Sequence, residues 1–230
     1  MGFIKTIGFD ADDTLWHNER FFGEAQIALK DLLSEYADGE TISKAILEMQ
    51  RQNVETLGYG IKSFTIAMMQ VALDLSNEEL DTQSMRSIIN IGKEMMAHPV
   101  DFIDGVVEVL DNLSETYELV LITKGDLMDQ ERKVSLSKIN KWIKNIEIVS
   151  EKHSTTYKNI FSRLGNVDES VMVGNSIKSD AVPAVQAGAW GIHVPYPITW
   201  ELELAEPMTD HERYFEAKSL SNAVDIIRSI

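Results

Sequence analysis

The sequence predicts an α/β fold: a doubly wound, Rossmann-like parallel sheet carrying an inserted all-helical unit. Three observations predict it. Short apolar runs at residues 4–9, 119–122, 146–149, 171–173 and 192–194 lack the clean alternation of half-exposed strands, as buried parallel strands do. From residue 101 onward, helical patterns alternate with those runs, the β-α order of a doubly wound core. Between residues 16 and 99 the strand signal disappears and apolar residues fall at helical spacing.

Taken in order, the first run at 4–9 is the opening strand and leads directly into an acidic segment. In the insertion, Phe21, Phe22, Ala25, Leu29, Leu32 and Leu33 mark one amphipathic helix, and Ile42, Ala45, Ile46 and Met49 a second. A third helix is expected over 64–75 and a fourth over 76–96, with Ser76 and Glu79 as its capping box and Pro99 closing the segment. Gly58 and Gly60 punctuate the insertion, and Met68, Met69, Met95 and Met96 read as core filler. In the remainder, Val106, Val109, Leu110 and Leu113 mark a helix before the second strand, and further helices are expected over 127–139, 157–164 and 181–187. Residues 1–15 and 100–230 then form the α/β core and 16–99 the helical unit.

The chain has 230 residues, 44% of them hydrophobic, enough to bury a sizeable core. Lys+Arg 21 against Asp+Glu 37 gives a formal net charge of -16, which disfavours nucleic acid and anionic membrane surfaces as partners. An anionic small molecule stays possible, because a metal ion and a few donors reverse the field inside one pocket. Cysteine is absent, which excludes disulfides, a thiolate nucleophile and Cys-ligated metal. Residues 1–9 lack the basic start and long apolar run of a signal peptide, and no later stretch is long and apolar enough to span a bilayer, so a cytoplasmic location is expected. Oligomeric state leaves no mark in the sequence.

Candidate chemistry sits at strand ends. Asp10-Ala11-Asp12-Asp13-Thr14 follows the first strand, at the carboxyl edge where open α/β sheets bind ligands. Two carboxylates one residue apart can converge on a small volume, where their repulsion calls for a cation or a shared proton. One can attack phosphorus and the other act as acid and base. A solvated acidic turn is the bland alternative. Thr123-Lys124-Gly125-Asp126 ends the second strand with a hydroxyl and a turn suited to phosphate oxygens, or to helix capping. Gly174-Asn175-Ser176-Ile177-Lys178-Ser179-Asp180 ends the fourth with hard oxygen ligands suited to Mg²⁺, or again with a cap.

With these motifs in this order, the chain resembles the haloacid dehalogenase superfamily over nearly its whole length, in particular phosphatase-like members with a helical cap inserted after the first motif. The resemblance implies Asp10 as nucleophile, Asp12 as acid/base, Thr123 and the Lys124 backbone as phosphate-binding groups, and a metal held by Asp10, Asp12, Asn175 and Asp180. The superfamily's third motif is a lysine after the next strand. Lys152, just past the strand 146–149, is preferred over Lys158, which falls within an amphipathic helix. Asn175 departs from the pattern, since the superfamily usually has Asp there. Its carbonyl oxygen can still ligate Mg²⁺ but brings no charge, so weakened metal binding is expected.

The implied function is Mg²⁺-dependent hydrolysis of a small-molecule phosphate ester through an aspartyl-phosphate. Dehalogenating relatives typically lack the second Asp, so Asp12 favours phosphate chemistry. A phosphonate-cleaving role would recruit a Schiff-base lysine from the cap, yet nothing in the spacing of Lys30, Lys44, Lys62 and Lys93 marks one. The other readings are a phosphomutase, a dehalogenase, and a binding or regulatory protein with little or no turnover. The cap is expected to act as a lid that sets substrate choice, with Tyr59-Gly60-Ile61-Lys62 as its candidate loop. His193, in an apolar run, reads as a core histidine, and the segment 190–200 as a wall behind the site.

Overall fold

The computed structural model describes residues 3–230. Six strands, β1 (Thr6–Phe9), β2 (Glu118–Lys124), β3 (Asn145–Val149), β4 (Ser170–Gly174), β5 (Trp190–His193) and β6 (Tyr214–Glu216), form one sheet in the order β3-β2-β1-β4-β5-β6. All five pairings are parallel. The chain winds outward from β1 through β2 to β3, then returns to the other side of β1 with β4. A reversal of strand order of this kind opens a crevice at the carboxyl ends of the strands. Phe9 is in register with both Leu121 and Val173, so the residues that follow β1, β2 and β4 emerge at one edge.

The described chain divides into two compact units. One consists of Glu19–Pro99 with Gly125–Asp129 and is helical: α1 (Glu19–Leu32), α2 (Gly39–Leu57), α3 (Ile61–Leu75) and α4 (Thr82–Ala97). Leu29, Leu33, Ile42, Ile46, Phe64, Met68, Val71, Ile88 and Met95 are buried in its core, and Met69 and Met96 pack against it. Ser76 does not start the fourth helix. It closes α3, because Asn77 and Glu78 both adopt positive φ and break the helical path; the carboxylate of Asp81 then caps α4 by accepting from the Gln83 and Ser84 N–H groups. Lys62 is exposed, and its ammonium donates to both Asp126 carboxylate oxygens at 2.9 and 3.1 Å.

The other unit is the sheet with its flanking helices: α5 (Val106–Leu113), α6 (Leu127–Ser137, whose first turn belongs to the helical unit), α7 (Ser154–Leu164), α8 (Val182–Gln186) and α9 (Leu220–Ser229). Strand alternation sorts the core into two layers. Ile7, Phe9, Leu119, Leu121, Val171 and Val173 face one side with α5 and α9, while Val120, Ile122 and Met172 face the other with Tyr157, Ile160 and Phe161 of α7. The expected helix over 181–187 starts earlier, as a π-helical turn at Ile177–Ala181 capped by the Ser176 side chain. Two elements lie beyond the sequence-based expectation, the edge strand β6 and α9. β6 has only three residues, too few for a periodic signal, whereas α9 places Leu220, Ala223, Val224 and Ile227 on one face behind a Ser219 cap. Among the described residues no helix is long and apolar enough to cross a membrane.

Candidate active site

The loop after β1 turns back on itself because the Ala11 carbonyl accepts from the N–H groups of Thr14, Leu15 and Trp16, with Asp13 in the left-handed region at φ 63°. That turn brings Thr14 over Asp10. The Thr14 hydroxyl donates to Asp10 Oδ2 at 3.1 Å and accepts from the Asn175 N–H at 2.9 Å, pinning the first and fourth motifs together. Lys152, buried just beyond β3, donates to Asp10 Oδ1 and, at 2.7 Å, to Asp180 Oδ1. The second Asp180 oxygen accepts from the Ser176 N–H at 3.0 Å. Gly174 makes room for this, since a Cβ there would run into the Asp180 carboxylate. Lys158 is exposed on α7.

Asp10, Lys152 and Asp180 thus form a buried triad with one cation between two carboxylates. Burial, opposed by Lys152 and reinforced by Asp180, pushes Asp10 up to about 7. Burial alone would pull Lys152 down, but Asp10 and Asp180 outweigh it and hold the lysine above its ordinary value. Because the folded value of Asp10 exceeds the unfolded one, its contribution to stability is fully present below about pH 3.8 and lost as pH rises through about 7. In the presence of a chelator, the melting temperature of wild type minus that of Asp10→Asn is therefore expected to fall between these pH values; thermal melts across the range check it.

The Asp12 carboxylate turns away from that triad. Trp16 Nε1 donates to Oδ1 at 2.6 Å, Gln130 Nε2 to Oδ2 at 2.8 Å, and Lys133 Nζ to both oxygens at 2.9 Å. Burial works against ionisation here, yet Lys133 with the donors from Gln130 and Trp16 overcomes it and holds Asp12 below the usual carboxylate range. What Asp12 shares with the fourth motif is its backbone. With its NH₂ end inward, the Asn175 amide donates to Asp10 Oδ2, Thr14 Oγ1 and the Asp12 carbonyl oxygen, each at 3.2 Å. The four residues expected to share a metal therefore do not meet through four side chains: Asp12 presents its carbonyl, and Asp180 is engaged by Lys152. Among the described residues no three acidic or histidine side chains are grouped to hold a metal ion.

Thr123 is buried at the end of β2. The side chain of its neighbour Lys124 reaches away to Glu203 at 2.6 Å and Ser179 at 2.9 Å. His193 is half-buried, with Nε2 at 3.1 Å from the Asn175 carbonyl, and burial keeps its pKa low. From the segment expected behind the site, the Tyr196 hydroxyl meets His17 Nδ1 at 2.8 Å.

Several residues of this constellation escaped the sequence reading. Gln130 and Lys133 stand three apart on α6, on one face of that helix, and both are buried. Their spacing of three within a helical pattern was the only signal available in the sequence. Tyr157 donates from α7 to the Ser179 carbonyl at 2.7 Å, and burial beside Asp180 and Asp10 raises its pKa. Glu203 comes from a loop with no periodic pattern and left no signal.

The description "haloacid dehalogenase-like hydrolase" matches residues 4–188. A haloacid dehalogenase-like family hydrolase from Xanthomonas campestris is 34% identical, with a TM-score of 0.87, over 99% of this chain and 93% of its own. YfnB of Bacillus subtilis, named a HAD-hydrolase and bound to magnesium, has a TM-score of 0.65 at 16% identity, over 97% of this chain and 98% of its own. The 2-haloacid dehalogenase of Pseudomonas syringae pv. Tomato DC3000 has a TM-score of 0.62 at 18% identity, over 97% and 98% respectively. Other structures of this fold carry the names of phosphatases and of dehalogenases. No curated protein matches the chain. With its six-stranded parallel sheet, its helical insertion after the first strand and a match over most of its length, the chain belongs to the haloacid dehalogenase-like hydrolases.

Proposed function

We propose that the protein is a Mg²⁺-dependent phosphatase acting on a small-molecule phosphate monoester. The observation that carries this reading is the second carboxylate. Asp12 lies two residues beyond the candidate nucleophile, where a leaving oxygen needs a proton; because Trp16, Gln130 and Lys133 favour its ionised form, in this reading its carboxylate turns from them toward Asp10 and takes up a proton when substrate binds. In this reading an Asp10 oxygen attacks phosphorus and the bond to the leaving oxygen breaks, that oxygen taking a proton from Asp12. Water then attacks the aspartyl-phosphate, Asp12 takes its proton, and Asp10 is released with inorganic phosphate. Lys152 balances charge on Asp10 and the phosphoryl oxygens, and Thr123 and the Lys124 N–H orient them.

The donor set fits Mg²⁺. Asp10 Oδ2 and the Asp12 carbonyl are hard oxygens that both meet the end of the Asn175 amide at 3.2 Å, and that amide, turned over, would present its own oxygen to a cation in the same place; Mg²⁺ is commonly held by one or two carboxylates with water and substrate phosphate. When bound, the ion would act as a Lewis acid toward the phosphoryl group. For Asn175→Asp we expect the Mg²⁺ dissociation constant to fall about tenfold or more, roughly 1.4 kcal/mol, because a formal charge joins the site. The same change should lower the melting temperature in chelator, where three carboxylates would crowd together. Titration calorimetry and melts check both.

Phosphate release from an aryl phosphate and a panel of small phosphate esters, with and without Mg²⁺, tests the reading. Absence of metal-dependent turnover across the panel would refute it. A dehalogenase reading draws on one observation, the neutral Asn175 beside a lysine placed directly on Asp10. Halide loss needs no proton from Asp12. Halide release from 2-chloropropionate in the presence of chelator, without phosphatase activity, would favour it.

A further inference from the structure

Glu203 is a carboxylate outside the four motifs, yet its side chain is only 14% exposed and its oxygens are fully engaged. Oε1 accepts from Lys124 Nζ at 2.6 Å, and Oε2 accepts from the Ser176 hydroxyl at 2.6 Å and from the Ser179 hydroxyl. Burial opposes its charge, but these three donors outweigh that and hold its pKa low. Each donor is the chain neighbour of a candidate site residue: Lys124 of Thr123, Ser176 of Asn175, Ser179 of Asp180. An ammonium and two hydroxyls converging on one carboxylate make a site for an anion, and here the chain's own segment fills it. The chain leading into Glu203 is pinned twice, by the Tyr196–His17 contact at 2.8 Å and by Lys178 donating to the Leu202 carbonyl at 2.6 Å.

We propose that Glu203 is a specificity-determining residue: an internal anion that fills the Lys124–Ser176–Ser179 cradle and so excludes phosphate esters whose leaving group carries a second anionic group at that position. The inference rests on the phosphatase reading of Asp10 and Thr123. With the cradle filled, the neutral or cationic end of a substrate is accepted beside the phosphoryl group, and a carboxylate or second phosphate meets Glu203. Emptied of that charge, the same donors hold such a group through charge-assisted hydrogen bonds.

The test compares binding of methylphosphonate and phosphonoacetate, which differ by one carboxylate, to the Mg²⁺-supplemented protein by calorimetry. Wild type should bind phosphonoacetate no better than methylphosphonate. In Glu203→Gln the affinity ratio of phosphonoacetate to methylphosphonate should rise about tenfold or more, as a gained charge-assisted hydrogen bond implies. Glu151→Gln removes a carboxylate 4.0 Å from the same ammonium but leaves the cradle filled, and should move the ratio less than about threefold. Adding Lys124→Met to Glu203→Gln should return the ratio toward wild type. An unchanged ratio in Glu203→Gln, or an equal rise in Glu151→Gln, overturns the proposal while leaving the phosphatase reading in place. A strong wild-type preference for phosphonoacetate overturns it even if the variant does not fold. Failure of both probes to bind any of the proteins sinks the phosphate site itself, and the proposal with it.

Discussion

Asp10→Asn is expected to lower kcat by about 10⁴-fold or more, with no loss of melting temperature at neutral pH. A carboxamide is a poor nucleophile, and no other acidic side chain stands where Asp10 does. Folding should survive because the ionised form of Asp10 is already disfavoured by burial. The amide can also keep both partners, its carbonyl accepting from Lys152 and its NH₂ facing the Thr14 hydroxyl. Steady-state kinetics on the best substrate of the panel, with thermal melts of the same preparations, measure the two halves. Activity within tenfold of wild type would remove Asp10 from the nucleophile's place.

Lys152→Met should be the more damaging change to the fold. It leaves Asp10 and Asp180 buried with no cation between them, and breaking a buried pair in this way costs about 3–5 kcal/mol. The sign of its pH dependence follows from the same geometry. At low pH Asp10 protonates and the penalty shrinks; toward neutral pH it grows. Denaturant unfolding of wild type and variant at acidic and neutral pH checks this. Turnover should fall at least about 10³-fold, since both the nucleophile and the phosphoryl charge lose their neutralising partner. Wild-type stability at neutral pH would show that the triad is not the electrostatic unit described here. Together with the Asn175→Asp and Glu203→Gln variants, these measurements separate nucleophile, charge balance, metal affinity and substrate choice.

The fold class and the order of the candidate motifs were legible in the sequence, because both follow from local rules. A buried parallel strand writes itself as a short apolar run, and whatever follows it must emerge at the carboxyl edge of the sheet. That is why Asp10, Thr123, Lys152 and Asn175 could be picked out one at a time. The boundary error at Ser76 is local too: a capping pattern was present, but two left-handed residues and the stronger Asp81 cap displaced the helix start.

What only the tertiary structure decided is which charges meet. Lys152 reaches Asp10 across 142 residues, and Gln130 and Lys133 reach Asp12 across 118 and 121. Glu203 closes on Lys124 across 79. Such pairings depend on how helices and loops pack against the sheet, and a charged side chain in a loop or on a helix reads the same in sequence whether it ends buried or solvated. Asp12 shows the difference most plainly. Its place beside Asp10 is fixed by the chain, but the direction of its carboxylate, toward Lys133 rather than toward Asp10 and Asn175, is set by packing.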